Sequence, residues 1–337
     1  MKHNKYVVYW LLTGCLLIFI MVLVGGITRL THSGLSISNY KLISGTLPPM
    51  NTQEWQEAFD LYKQYPEYQK LNYHFTLEDF KSIYFWEWLH RFIGRFIGIV
   101  FIIPFLFFLL TKKLDVSTVK KCTLLLFLGA FQGFLGWYMV KSGLIDRPDV
   151  SHYRLAAHLI TAFLTFAYSL WVALDLIYPS KKEINKTIRN ILRASLLILI
   201  IQIIWGAFVA GLDAGFIHNH WPFMSEGKLI HETVYIEQRP LLKNFIEGKS
   251  GVQFIHRYLA YIVVGSVLYL GYKTKSLVLA PLQKKGIKLL LILVGVQFLL
   301  GVFTLIYAVP LVLGVAHQIG AFFLLAAMTF TLHRFSK

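Results

Sequence analysis

The sequence predicts an all-α polytopic membrane protein whose eight transmembrane helices form two tandem four-helix bundles. Of its 337 residues, 56% are hydrophobic and only 15% are charged, whereas a soluble domain carries about 25% charged residues. The apolar residues are gathered in runs long enough to cross the roughly 30 Å hydrocarbon core of a bilayer. An internal repeat divides these runs into two sets of four.

The eight predicted spans cover residues 6–28, 84–110, 119–140, 153–177, 191–211, 252–272, 286–308 and 311–332. Residues 1–180 are predicted to form an N-terminal half with a large outer loop, and residues 181–337 a C-terminal half. Because each half has an even number of helices, both run in the same direction through the membrane. A pseudo-two-fold axis along the membrane normal is therefore expected to relate them.

Basic residues concentrate in the loops on one side of the predicted membrane. Among them are Lys112, Lys113, Lys120, Lys121, Lys284, Lys285 and Lys288. The positive-inside rule assigns this side to the cytoplasm, so both termini are expected there, in a bacterial inner membrane. The net charge of +16 is thus interpreted as a topology signal, with lipid as the expected partner and no nucleic acid.

Two outer loops are long. The first, residues 29–83, contains the turn Pro48-Pro49 and is predicted to form two short amphipathic helices. One runs from Thr52 through Tyr65, and the other has Thr76 as its N-cap with Asp79 three residues later. The second long loop joins spans five and six.

The repeat places histidines at matching positions in the two halves. The matched segments are His90-Arg91-Phe92 with His256-Arg257-Tyr258, Ala157-His158 with Ala316-His317, and Gln132-Gly133 with Gln297-Phe298. Each histidine is predicted to lie a few residues inside the outer end of its span, so the pair in each half can face each other across a four-helix bundle. Gln132 and Gln297 are predicted to make interhelical hydrogen bonds.

Two facing imidazoles in an apolar bundle are typical of axial ligands to a heme iron. The alternative is that each histidine packs by hydrogen bonding or belongs to a proton path, but the duplication at matched depth favours heme. Zinc is disfavoured because further cysteine or carboxylate ligands are lacking. Cys15 and Cys122 form no spaced pair and predict no disulfide.

Arginines accompany the histidines. Arg91 and Arg257 directly follow a predicted ligand, and Arg154 precedes His158 by one turn. Guanidinium groups suit the carboxylate propionates of a porphyrin. The alternative is that they reach the outer interface as anchors, and for Arg154 the two interpretations remain equally open.

Glu87 breaks the symmetry of the repeat. It lies three residues before His90, on the same helix face, and the matching residue in the second half is Gln253. A carboxylate in one half alone favours chemistry at one porphyrin site and electron transfer at the other. The alternative is an ion pair between Glu87 and Arg91.

The chain resembles the heme A synthase family, whose members oxidise a methyl group of heme O to the formyl group of heme A. The resemblance is carried by Gly25-Gly26-Ile27-Thr28-Arg29-Leu30-Thr31-His32-Ser33-Gly34-Leu35-Ser36, Leu47-Pro48-Pro49, Pro66-Glu67-Tyr68, Glu87-Trp88-Leu89-His90-Arg91, Gly94-Arg95 and the three later histidines. It covers nearly the whole chain. It is similar to the branch shared by mitochondria and many Gram-negative bacteria, which lacks a cysteine pair in the first outer loop.

The resemblance implies a role for each half. The N-terminal half would hold the heme O or heme A being processed, near His90 and His158, with Glu87 as the catalytic carboxylate. The C-terminal half would hold a heme B cofactor on His256 and His317. Residues implied to contact the hemes are Arg91, Arg95, Arg154 and Arg257.

The implied partners are heme O, delivered by the heme O synthase, an unidentified electron donor or acceptor, and a second copy of the chain in a homo-oligomer. His218 and His220 have no counterpart in the family pattern, and no role is implied for them.

The main alternative function is a diheme b-type cytochrome that transfers electrons from quinol. A transporter is a further alternative, and a prenyltransferase is disfavoured because the spans lack an aspartate-rich motif.

Overall fold

The computed structural model describes residues 5–37, 46–144, 148–179, 185–238 and 240–336. Within these residues, eight helices are long and apolar enough to cross a membrane, as predicted. They are α1 (Lys5–Leu30), α2 (Leu77–Leu110), α3 (Val116–Lys141), α4 (His152–Ile177), α5 (Lys186–Gly211), α6 (Lys249–Thr274), α7 (Pro281–Ile306) and α8 (Leu311–Ser336). A helix of 26 residues is about 39 Å long, so each can span the hydrocarbon core. The chain is therefore a multi-pass membrane protein. The predicted boundary after residue 180 lies outside the described residues.

The predicted short helix beginning after Thr76 is wrong as a separate element. Its N-cap is present, because Thr76 Oγ1 accepts a hydrogen bond from the Asp79 backbone N–H at 3.3 Å and Asp79 Oδ2 accepts one from the Thr76 N–H at 2.9 Å. The helix then continues without a break to Leu110 as α2. Residues 77–93 contain neither glycine nor proline, and nothing in the sequence ends the helix before the membrane.

The other predicted outer helix ends earlier than expected. It covers Thr52–Tyr62 rather than reaching Tyr65, and a π-helical turn follows at Tyr68–Asn72. Pro66 disfavours helical backbone in the residue before it, which accounts for the earlier end. The helix packs on the extramembrane part of α2 through a buried cluster of Phe59, Tyr62, Phe80 and Ile83.

The helices of the two halves pack in the same pairs. In the N-terminal half, α1 contacts α2 and α4, and α3 contacts the same two helices. In the C-terminal half, α5 contacts α6 and α8, and α7 contacts the same two helices. The halves meet where α1 and α4 contact α8 and where α4 contacts α5. Phe322 of α8 lies at this junction, with its ring centre 4.0 Å from that of Phe166 on α4.

One end of the molecule carries residues 31–37, 46–76 and 212–248, and we call this end the loop face. A polar contact also joins the two halves there. Arg29, in the last turn of α1, donates to Asp213 Oδ1 at 2.9 Å and to the Ala210 carbonyl. Asp213 follows α5 and has a positive φ of 53°, a conformation that Asp tolerates better than most residues.

The second outer loop is organised by Asn244, which is fully buried. Its Nδ2 donates to the carbonyls of Tyr235, Gln238 and Leu241, and its Oδ1 accepts from the Gln238 N–H at 2.6 Å. One side chain thereby satisfies several backbone groups of a loop whose described residues form short helical turns and one isolated β-bridge, between Ser225 and Lys228.

Candidate functional site

The four predicted histidines lie in two gaps between helices. Among the described helices, α2 and α4 are not a closely packed pair, and neither are α6 and α8. His256 and His317 face each other across the second gap, with ring centres 6.3 Å apart and ring planes at 90°. His90 and His158 occupy the equivalent gap and lie within electrostatic reach of each other. The structure thus brings the histidines together in the two pairs that the sequence predicts.

Each histidine lies against a glycine of a neighbouring helix. A Cβ atom on Gly25 would lie 3.1 Å from Nε2 of His90, and one on Gly136 would lie 3.1 Å from Cε1 of His158. The corresponding distances to Cε1 of the C-terminal histidines are 3.0 Å from Gly206 to His256 and 2.9 Å from Gly301 to His317. The absence of a side chain at these four positions lets the rings lie directly on the helix backbone. Sequence reasoning missed this role, although Gly136 and Gly301 each lie four residues after one of the matched glutamines, Gln132 and Gln297.

The C-terminal pair fits a shared heme iron. A metal–imidazole bond is about 2.0 Å long, so two imidazoles that bind one ion from opposite sides have ring centres about 6 Å apart. The observed 6.3 Å separation agrees with this spacing.

A glutamine orients the fourth-helix histidine in each half. Nε2 of Gln132 lies 3.1 Å from Nδ1 of His158 and donates to the His158 carbonyl at 2.7 Å. Gln297 makes the same two contacts with His317, at 3.1 and 2.9 Å. Gln132 lies on α3 and Gln297 on α7, so the predicted interhelical hydrogen bonds are confirmed.

The amide oxygens of these glutamines are buried without a hydrogen-bond partner among the described residues. A histidine that binds metal through Nε2 carries its proton on Nδ1 and donates it to a neighbouring acceptor. In this structure Nδ1 of each ring lies 3.1 Å from the glutamine nitrogen. The same nitrogen donates to the histidine carbonyl, so the glutamine fixes the position of the ring without supplying that acceptor.

Glu87 is buried and held by three donors. Its Oε2 accepts hydrogen bonds from the Ser36 hydroxyl and the Ile37 N–H, both at 2.7 Å, and its Oε1 accepts one from Arg91 Nη2 at 2.6 Å. The ion pair that the sequence offered as an alternative is therefore present. The catalytic role of Glu87 stays a prediction, and Ser36 is a partner that sequence reasoning missed.

Arg91 and Arg257 both support loops above the histidines. Arg91 donates to the Ile37 carbonyl at 2.8 Å in addition to its bond with Glu87. Arg257 donates to the carbonyls of His218, His220 and Phe223, at 3.1, 2.6 and 3.0 Å. His218 and His220 therefore have a structural role, because their backbone carbonyls bind Arg257 and hold the second outer loop against α6.

Arg154 and Arg95 differ in their surroundings. The Arg154 guanidinium stacks on the Tyr138 ring, with Cζ 3.7 Å from the ring centre, and it donates to the Tyr138 carbonyl at 2.8 Å. Arg95 is partly buried one turn beyond Arg91 on α2. For both residues the heme contact stays a prediction.

Comparison with known proteins identifies the relatives of this chain. The model of a family described as cytochrome oxidase assembly protein matches residues 8–329. The chain belongs to the cytochrome oxidase assembly protein family. This membership agrees with the resemblance carried by the segments around Gly25, Glu87 and the later histidines.

Relatives in the cytochrome oxidase assembly protein family match over their full lengths. A heme A synthase of Flavobacterium johnsoniae is 64% identical over 340 residues, covering 100% of this chain and 99% of the relative. A heme A synthase of Flavobacterium psychrophilum is 61% identical over 339 residues, covering both chains completely. A heme A synthase of Parvibaculum lavamentivorans is 42% identical over 335 residues, covering 99% of this chain and 96% of the relative.

Proposed function

We propose that this protein is an oxidoreductase that converts the methyl group of heme O into the formyl group of heme A through hydroxylated intermediates. The observation that carries the proposal is the duplicated pair of facing imidazoles, each backed by a glycine. Support comes from the full-length relatives named heme A synthase, at up to 64% identity. The product would serve terminal oxidases, in keeping with the family description.

The two halves have different roles in this proposal. The N-terminal half, residues 1–180, holds the substrate heme between His90 and His158. The C-terminal half, residues 181–337, holds heme B between His256 and His317. The asymmetry of one acidic position supports this division, because Glu87 in the first half is replaced by Gln253 in the second. Bound heme B would supply one-electron redox chemistry.

Glu87 acts as the catalytic carboxylate. It lies one turn from His90 and is 3% exposed, so a charge at its position is weakly screened by water. Ser36, the Ile37 N–H and Arg91 fix both of its oxygens. A carboxylate fixed in this way can exchange a proton with the substrate and stabilise positive charge that develops at the carbon being oxidised.

The arginines are proposed to neutralise heme propionates near the loop face. Arg91, Arg95 and Arg154 serve the N-terminal half, and Arg257 serves the C-terminal half. Guanidinium groups pair with carboxylates through two parallel hydrogen bonds. Arg91 and Arg257 are also tied to loop carbonyls, which would keep them in place at the rim of each gap.

The proposed setting is a bacterial inner membrane with both termini in the cytoplasm. The lysines at the ends of α2, α3 and α7 opposite the loop face support this orientation, among them Lys112, Lys113, Lys284 and Lys285. Heme O would arrive from the heme O synthase, and an electron donor or acceptor would exchange electrons with the C-terminal half. A homo-oligomer is part of the same proposal.

The test is to produce the chain in a membrane that contains heme O but lacks any other source of heme A. Extracted hemes are resolved by chromatography, and we expect heme A together with heme B. Glu87→Gln should abolish heme A and leave the Soret absorbance per protein unchanged. Glu78→Gln is the matched control, because Glu78 lies on the same helix and is exposed.

Two results would contradict the proposal. Heme B alone, with heme O left unprocessed, would identify the diheme cytochrome that the sequence left as an alternative. Undiminished heme A in Glu87→Gln would reduce Glu87 to the ion-pair partner of Arg91.

A further inference from the structure

An apolar groove lies between α4, α7 and α8. Its volume is about 330 Å³. The side chains that line it include Leu170 of α4, Leu289 and Leu293 of α7, and Phe323 and Phe330 of α8. Because α4 belongs to the N-terminal half and the other two helices to the C-terminal half, the groove crosses the junction of the halves. Leu289 and Phe323 are exposed, so the groove opens on the outer surface of the helices, where lipid surrounds the protein.

The groove leads towards the end of the molecule opposite the loop face. Its two leucines on α7, Leu289 and Leu293, lie in the first half of that helix, which begins at this end with Pro281. Lys285 precedes Leu289 by one helical turn and therefore lies on the same side of α7. Its side chain is exposed. A basic residue thus continues the apolar wall of the groove towards the membrane surface.

A buried arginine lies at the same end of the groove. Arg334 follows Phe330 by one turn on α8 and is 2% exposed. Its Cζ lies 4.4 Å from the ring centre of Tyr178, directly after α4, and its carbonyl accepts a hydrogen bond from Gln283 of α7 at 3.1 Å. Nε and Nη1 of Arg334 are buried without a hydrogen-bond partner among the described residues. The three helices that border the groove therefore meet at a guanidinium group whose hydrogen-bonding capacity is largely unused.

The charges around this end are mainly positive. Residues 273–288 contain five lysines and no acidic residue, and α8 contains no acidic residue either. Asp175 of α4 accepts a hydrogen bond from Lys121 and lies 3.0 Å from Nε2 of His333, so its negative charge is compensated locally. The charge of a buried guanidinium is weakly screened by water. Arg334 therefore adds to the positive potential of Lys285, and this end of the groove favours an anion.

The apolar wall alone would not select a ligand within a membrane. Lipid tails are as apolar as leucine, so no hydrophobic driving force favours the groove over the surrounding bilayer. Selectivity must come from the basic end. Basic pockets between transmembrane helices bind anionic lipid head groups, and a lysine can extend its ammonium group to the interface while its stem lies on apolar surface. An anionic phospholipid carries its phosphate next to its acyl chains, and it matches both parts of this site.

We propose that α4, α7 and α8 form a binding site for an anionic phospholipid, with an acyl chain in the groove and the phosphate at Lys285. The neighbouring Lys288, which is also exposed, lies within one turn of Lys285 and is a second contact for the phosphate. The bound lipid touches both halves and stabilises their junction. The proposal is independent of the function proposed above, because no heme takes part in it.

The test titrates the purified full chain, in a detergent with a neutral head group, with phosphatidylglycerol or with phosphatidylcholine of the same chain length. Binding is measured by native mass spectrometry. Each basic residue near an anionic head group contributes about fivefold in affinity, so phosphatidylglycerol should bind about 5- to 25-fold more tightly. It should also raise the midpoint of thermal unfolding more than phosphatidylcholine does.

Variants at the basic end test the phosphate contact. Lys285→Gln should lower the affinity for phosphatidylglycerol about fivefold and leave that for phosphatidylcholine unchanged. Lys120→Gln is the matched control, because Lys120 is an exposed lysine at the same end of the molecule, on α3, which does not line the groove. Equal affinity for the two lipids, or an equal loss in the two variants, would overturn the proposal.

Variants in the groove test the position of the acyl chain. Ala326 lines the groove, and Ala326→Trp should fill it and abolish the tight binding of phosphatidylglycerol. Ala130→Trp is the control, since Ala130 is an exposed alanine of α3. Unchanged affinity in Ala326→Trp, or complete displacement of the lipid by inorganic phosphate, would show a site for phosphate alone and would overturn the assignment to a phospholipid.

Discussion

Gly301 and His317 lie so close together that a Cβ atom on Gly301 would be 2.9 Å from the Cε1 atom of the imidazole. The contact joins α7 to α8, and α8 is one of the two helices that border the second histidine gap. Three further glycines meet the other histidines at 3.0 to 3.1 Å. Close helix packing through glycine therefore positions all four rings.

Substituting Gly301 should displace His317. In Gly301→Ala the added methyl group collides with the ring, and overpacking of this kind costs about 1–3 kcal/mol. We expect weaker retention of heme B and a shifted Soret band, measured on purified protein. Gly295→Ala is the matched control, because Gly295 lies on the same helix and a Cβ atom added there would meet no atom within 4 Å. Equal heme content and equal spectra in the two variants would contradict the positioning role of Gly301.

Gln297→Leu should alter the heme site without altering the fold. The leucine keeps the bulk but removes the contacts with Nδ1 and the carbonyl of His317. Loss of a partner that orients a metal ligand typically lowers metal affinity about 10- to 100-fold. We expect faster loss of heme to an acceptor protein and a changed reduction potential. Gln202→Leu is the control, because Gln202 donates a hydrogen bond to the backbone carbonyl of His256, at 2.9 Å. A similar change of reduction potential in both variants would argue against ring orientation by Gln297.

Glu67 should make the outer helices less stable as the pH rises. Burial raises its pKa to about 8 in the folded protein, compared with 4.5 for a free glutamate side chain. The stabilisation is fully present below pH 4.5 and is lost as the pH rises through 8, at up to about 1.4 kcal/mol per pH unit. Thermal unfolding should show a midpoint that falls over this window. Glu67→Gln should flatten the dependence and Glu57→Gln, at an exposed acid of the neighbouring helix, should not. An equally steep dependence in Glu67→Gln would count against this assignment.

Arg29 should hold the two halves together at the loop face. Arg29→Met removes the hydrogen bonds to Asp213 and Ala210, and hydrogen bonds to charged groups contribute about 1.5–3 kcal/mol. We expect a lower unfolding midpoint and weaker association of the halves when they are produced as separate chains. Asp213→Asn keeps an acceptor and tolerates the positive φ, so it should cost less than Arg29→Met. Equal costs in the two variants would show that charge alone governs the contact, and a greater cost in Asp213→Asn would contradict the role given to the Arg29 hydrogen bonds.

The sequence predicted the parts of the site that depend on residue type and spacing. The four histidines, the Gln132 and Gln297 hydrogen bonds and the Glu87–Arg91 pair follow from the repeat and from the helical period. The helix beginning after Thr76 was mistaken for a separate element, because its capping box marks a start and says nothing of where the helix ends. Ser36 was not recognised as a partner of Glu87, since the two are far apart in the chain and only folding brings them together.

The amino-acid sequence alone determined that the chain carries eight helices long and apolar enough to cross a membrane, and histidines at matched places in both halves, because hydrophobicity and periodicity are local properties. Only the tertiary structure decided which glycine receives each imidazole, which donors hold Glu87 and that α4, α7 and α8 border one groove. These relationships depend on the approach of helices to within a few ångströms. Such distances are set by packing between segments remote in sequence, which no local pattern encodes.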